Sequence, residues 1–86
     1  MMKAKIEKIL EEVFQPESLQ VLDDSHKHAG HNPHAKKGGT HFTITIVSKT
    51  FAGKTPLERH RMIYDALKEP LTQGVHALAI SAKLPH

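Results

Sequence analysis

One stretch, THFTITIVSKTFAGKTPLERHRMIY at residues 40–64, limits what this chain can fold into more than any other. Its first half alternates with period two. Phe42, Ile44 and Ile46 fall on one side and Thr43, Thr45 and Val47 on the other, the pattern of a half-buried strand. Its second half starts a helix. Thr55 is placed as the N-cap, Pro56 takes the first helical position, where its missing N–H is harmless, and Glu58 follows at the spacing of a capping box. Between the two halves, FAGK supplies Gly53, which can take the positive φ that a sharp strand-to-helix redirection demands. A strand, a glycine turn and a capped helix form a scaffold on which the other residues must pack.

The scaffold belongs to a small protein. Eighty-six residues predict a single domain over 1–86 that buries roughly 60–65% of its unfolded surface, leaving little room for an enclosed substrate chamber. Cysteine is absent, so this chain alone can build neither a disulfide nor an all-thiolate metal site. There is no long apolar run and no signal-peptide core, which predicts a cytoplasmic protein without a membrane partner. A formal charge of +3 permits a nucleic-acid partner without requiring one. The outlier is histidine, with eight copies, a residue that titrates near neutrality and ligates metals.

Ahead of the scaffold, Lys3 to Phe14 reads as an amphipathic helix with Ile6, Ile9, Leu10, Val13 and Phe14 as its apolar stripe, stopped by Pro16. Ser18 to Asp24 reads as a short strand. The pattern then disappears. Residues 25–39, SHKHAGHNPHAKKGG, carry four histidines and three lysines but no large apolar side chain, which predicts a long exposed loop between two antiparallel strands. After the scaffold strand, the capped helix is expected from Pro56 to about Lys68, with His60, Ile63, Tyr64 and Leu67 towards the core and Arg59, Arg61, Asp65 and Lys68 towards solvent. The Glu69-Pro70 step should break it, because a residue before proline is pushed out of helical geometry. Pro70 to Gln73 can make one more helical turn that Gly74 ends. Val75 to Leu84 completes the chain as a strand, with His76, Leu78, Ile80 and Ala82 on one face and Val75, Ala77 and Ala79 on the other.

The predicted order is α-β-β-α-α-β, an α+β fold layered like an α/β sandwich. The first two strands should be antiparallel. A helical crossover makes the second and third parallel neighbours, giving a three-stranded mixed sheet with helices on one face.

Asp24-Ser25 with the histidine-rich segment after it, THF at 40–42, IVS at 46–48, FAGK at 51–54, RHRMIY at 59–64 and VHALAI at 75–80 together resemble the BolA family over nearly the whole chain after the first helix. The resemblance implies a fold like the class II KH domain and a protein that is not an enzyme. It implies a monothiol glutaredoxin as partner and a bridging [2Fe–2S] cluster shared with that glutaredoxin and glutathione. Such a cluster would exist only in the complex, with no cofactor in the isolated chain, and would act in iron–sulfur trafficking or iron and redox sensing. The chain by itself would be a monomer with at most weak homodimerisation. The family's ligands are the histidine of the VHAL motif, which is His76 here, and a His or Cys in the loop between the first two strands. That loop offers His28, His31 and His34, of which His28 is placed first and His31 second. Bacterial members of the family are also described as transcription regulators tied to stress response and cell shape, which implies DNA as the alternative partner.

The residues themselves bear on each reading. Imidazole suits borderline metals, and two imidazoles on one iron have a precedent in Rieske centres, but two alone leave a metal under-coordinated. Thiolates from outside would have to complete the shell. The bland alternative is that His26, His28, His31 and His34 are solvated loop residues. Strand parity puts His76 at the rim of the buried face and His41 on the opposite side from Phe42, favouring a loop histidine over His41 as the partner of His76. Within RHR, His60 is expected to pack against the sheet. A nucleic-acid face would use Lys54, Arg59, Arg61 and Lys68 with Lys49. Against it, the position of a KH backbone-clamping loop holds Glu69-Pro70-Leu71-Thr72-Gln73-Gly74, with a carboxylate where phosphate would sit. No catalytic constellation is visible. Asp23 and Asp24 point to opposite faces of a strand end, and Ser25 and Ser48 lack a base and oxyanion pair.

Overall fold

The computed structural model describes residues 1–24 and 40–85. Helix α1 (Met2–Phe14) leads into strand β1 (Ser18–Asp23), and β2 is His41–Val47. A 3-10 turn at Lys49–Phe51 follows, then helices α2 (Pro56–Ala66) and α3 (Lys68–Thr72), and β3 is Ala77–Lys83. The sheet order is β1-β2-β3, with β1 antiparallel and β3 parallel to the central strand. The expected α+β architecture is therefore present.

The period-two pattern of β2 does what its sequence dictates. Phe42, Ile44 and Ile46 are buried while His41, Thr43, Thr45 and Val47 are half-buried on the opposite face. Register aligns Val21, Ile44 and Ile80 across the three strands, so one sheet face is continuously apolar. The helices cover that face with Ile6, Leu10 and Phe14 from α1 and Ile63 from α2, together with Leu67. Among the described residues no helix covers the other face. Among the described residues no helix is long and apolar enough to cross a membrane.

On α1 the buried row is Ile6, Leu10 and Phe14, with Ile9 partly buried, but Val13 is 54% exposed. The i,i+4 ridge winds around the helix, so by the last turn it is Phe14, not Val13, that lies over the sheet. Gln15 then closes the helix in the left-handed region at φ 46°, just before Pro16. The Phe14 carbonyl, left without a helical partner, accepts from Ser48 Oγ at 2.7 Å and Thr50 Oγ1 at 3.1 Å.

The TPLE signal is realised as a complete capping box. Glu58 N donates to Thr55 Oγ1 at 3.1 Å and Thr55 N donates to Glu58 Oε1 at 2.9 Å. Gly53 takes φ 74° in the turn ahead of it. The helix ends earlier than expected, at Ala66, because Leu67 leaves helical geometry at φ −97°, ψ 21°. Pro70 is the third residue of α3 rather than its first, still in the first turn, where a missing N–H is tolerated. Gly74, at φ 108°, follows the α3 cap as foreseen. On α2, Ile63 is buried and Met62 and Ala66 are partly buried, whereas His60 and Tyr64 are exposed. The core-facing side is turned towards Arg59, whose Nη1 donates to the Ala82 carbonyl at 3.1 Å and whose Nε donates to the Lys54 carbonyl at 3.0 Å. Helical periodicity alone cannot locate this centre, since it depends on where the last strand ends.

Candidate metal-ligand site

The site lies where the first residues of β2 and β3 meet. Lys5 on α1 holds the approach to β3: its Nζ reaches Glu69 Oε1 at 2.8 Å and Gln73 Oε1 at 2.7 Å. The hydrogen bond from Lys5, and then its charge, hold the Glu69 carboxyl below its ordinary pKa. Glu69, expected to repel phosphate, is therefore paired within the fold. After Gly74, Val75 is 5% exposed and anchors the chain in the core. His76 N and Ala77 N then both donate to the Thr40 carbonyl, at 2.7 and 3.2 Å.

Two successive amides on one carbonyl is the hydrogen-bond pattern of a bulge, which breaks strict side-chain alternation. Val75 is buried while His76 and Ala77 are both exposed. The expectation that His76 shares the buried side of Leu78 is thereby corrected. The strand begins only at Ala77, and the doubled contact at Thr40 turns His76 out towards the uncovered face. His41, paired in register with Ala77, is on that face too. The His41 and His76 rings stand 6.0 Å apart between centroids and 23° from parallel. The structure thus brings together two histidines that strand parity kept apart.

Around them, Thr40 is 6% exposed and its Oγ1 shares a hydrogen bond of 3.0 Å with His41 Nδ1. Asp24 N donates to the His41 carbonyl, and Thr43 Oγ1 donates to Asp24 Oδ2. Asp24, His41, Thr43, Ala77 and Ala79 line a shallow concavity of about 270 Å³. Among the described residues no group of three or more His, Cys, Asp or Glu could hold a metal ion, so this is a two-imidazole half-site. His28 and His31, with His26 and His34, lie outside the described residues. Their segment is nevertheless bounded by described residues, Asp24 and Thr40, at the end of the sheet where His76 sits.

The basic residues differ in exposure. Lys54, Arg61 and Lys68 are exposed, but Arg59 is half-buried with its guanidinium engaged by two carbonyls. Nothing in the local sequence distinguishes Arg59 from Arg61; only tertiary placement does. Ser48 is 1% exposed and ties Phe14 to Thr50, a structural role that nothing in its own sequence neighbourhood announces.

Among the described residues, the fold and site define a small mixed sheet with helices on one face and, at one end of the other, an imidazole pair made of half-buried His41 and exposed His76. The chain belongs to the BolA-like protein family, whose pattern matches residues 10–86. It is 47% identical over 81 residues to an uncharacterized protein in cobS 5'region of Sinorhizobium sp, covering 93% of this chain and 87% of that one. It is 42% identical over 80 residues to the DNA-binding transcriptional regulator BolA of Escherichia coli (strain K12), covering 93% and 72%. Among solved structures, the BolA domain of SufE1 from Arabidopsis thaliana superposes with a TM-score of 0.87 at 46% identity, covering 96% and 91%. Some relatives are much longer: the chain spans 23% of SufE-like protein 1 of Arabidopsis thaliana and 58% of mouse BolA-like protein 1.

Proposed function

We propose that this chain is a non-catalytic accessory protein that docks a monothiol glutaredoxin and lends imidazole ligation to a shared [2Fe–2S] cluster. The observation that carries the reading is the position of His76. It is an exposed imidazole at the open end of the sheet, at the same end as both boundaries of the histidine-rich segment, in a chain with no cysteine. The donor set fits half of such a centre. Two imidazoles on one iron match the Rieske precedent, and thiolates of the glutaredoxin and glutathione would supply the other half. When bound, the cluster would supply one-electron redox chemistry and a transferable iron–sulfur unit. The chain's own contribution is to present His76 on a rigid strand end, with the Val75 anchor on one side and the Thr40 carbonyl on the other. His28 or His31 would add the second imidazole from the segment between β1 and β2. The chain would act as one domain, as a monomer before docking, in the cytoplasm.

The test is a titration of holo-glutaredoxin followed by visible absorption and circular dichroism. The spectra should change on adding the wild-type chain, and the change should be lost with His76→Ala. Unaltered spectra with wild type, or identical spectra with the variant, would remove the ligand assignment.

A second reading, DNA binding, draws on the name carried by the Escherichia coli relative and on exposed Lys54, Arg61 and Lys68. It predicts affinity that falls steeply with salt, with a log–log slope shallower by about one unit for each phosphate contact removed by Lys54→Ala or Arg61→Ala. Arg59→Ala is unsuitable for this purpose, because it also unties α2 from β3. A slope unmoved by either variant would dismiss that face.

A further inference from the structure

The His41–His76 pair can be read without reference to any partner. We propose that it forms a bis-imidazole site for a late first-row divalent cation, Cu²⁺ or Ni²⁺ ahead of Zn²⁺, in the isolated chain. Three features of the described residues carry this. The ring centroids are 6.0 Å apart. Two imidazoles bound to one cation through nitrogens at ~2.1 Å place their ring centres on the order of 5–6 Å apart, a separation the observed pair matches. One ring nitrogen of His41, Nδ1, is also engaged by the Thr40 hydroxyl, which orients the ring. When Nδ1–H donates to Thr40 Oγ1, Nε2 carries the lone pair. Finally, the bulge at Thr40 turns His76 onto the same open face as His41. With two protein donors and solvent in the remaining positions, affinity should follow the general order for nitrogen ligands, with Cu²⁺ tightest.

The site has a consequence for the function proposed above, and only this consequence rests on that reading. His76 cannot ligate a divalent cation and a cluster together, so an occupied pair would block cluster sharing. A labile divalent cation then acts as a competitor of the glutaredoxin complex.

The experiment isolates the pair by using the full chain with His26, His28, His31 and His34 all changed to Gln. Ni²⁺ and Zn²⁺ are titrated and histidine ring proton signals are followed by NMR. Saturable shifts confined to His41 and His76 are expected. His41→Gln or His76→Gln in the same background should weaken binding about tenfold or more, given that loss of even an outer partner of a ligating histidine costs roughly 10–100-fold. In the unaltered chain, substoichiometric Cu²⁺ should broaden the amides of Asp24, His41, Thr43, His76 and Ala77 alongside any signals of the loop histidines, a readout that needs no variant. Absence of saturable shifts, equal affinity in His41→Gln, or broadening that spares these five amides overturns the site. Cluster spectra with glutaredoxin, recorded without added cation, report separately on the function. If those fail while cation binding persists, only the competition is lost.

Discussion

At the scale of single residues, Ser48 and Arg59 hold elements together that otherwise share few contacts. The Ser48 hydroxyl donates to the last carbonyl of α1 and accepts from Thr50 N, so its removal leaves that carbonyl with Thr50 Oγ1 alone and Thr50 N without its acceptor. Ser48→Ala should cost about 0.5–1.5 kcal/mol, read as a lower urea midpoint with unchanged slope. Arg59 bridges the Lys54 and Ala82 carbonyls with two arms of one guanidinium. Arg59→Ala should cost about 1–3 kcal/mol by the same measurement, and Arg59→Lys should restore little, because a single ammonium cannot reproduce the fork. Neither role was legible in the sequence. Both depend on what lies opposite in the fold, which a helical or strand pattern does not encode.

At the scale of elements, local rules were dependable where the chemistry is local. The Thr55 capping box and the Gly53 turn stand where the sequence puts them, since each is settled within a few residues. Thr55→Ala should lose about 1 kcal/mol. Glu58 accepts the Thr55 backbone N–H, which holds its carboxyl below the ordinary carboxylate pKa, and Lys5 does the same for Glu69. A carboxyl with a depressed folded-state pKa gives stability that is present above its unfolded value and is lost as pH falls through the folded one. The chain should therefore weaken on acidification below the normal carboxylate range. In Glu58→Gln and Glu69→Gln variants that part of the pH dependence should shrink, as checked by thermal melts across pH 2.5–6 (about the range where carboxylates titrate). The break between α2 and α3 was less legible. A proline warns that a helix must change nearby, but the change falls at Leu67, where the buried side chain must serve both helices.

For the whole molecule, strand order and direction followed from patterning and crossover rules, because one apolar face can be buried in few ways. Ile44, in the middle of the central strand, is the position where that economy is most exposed: Ile44→Ala should cost about 2–5 kcal/mol in denaturant unfolding. The meeting of His41 and His76 was hidden because alternation was counted through a point where the ladder doubles back on one carbonyl. The two anchors of residues 25–39 have a further consequence. They are tied to neighbouring strands by Asp24 N to the His41 carbonyl and by Thr40 to the start of β3. Their spacing is thus dictated by the sheet, and lengthening the span between them adds only about 0.6 kcal/mol of closure entropy per doubling. If that span supplies a ligand as proposed, the number and spacing of its donors can change while the architecture beneath stays as it is, and ligation is then tuned without refolding.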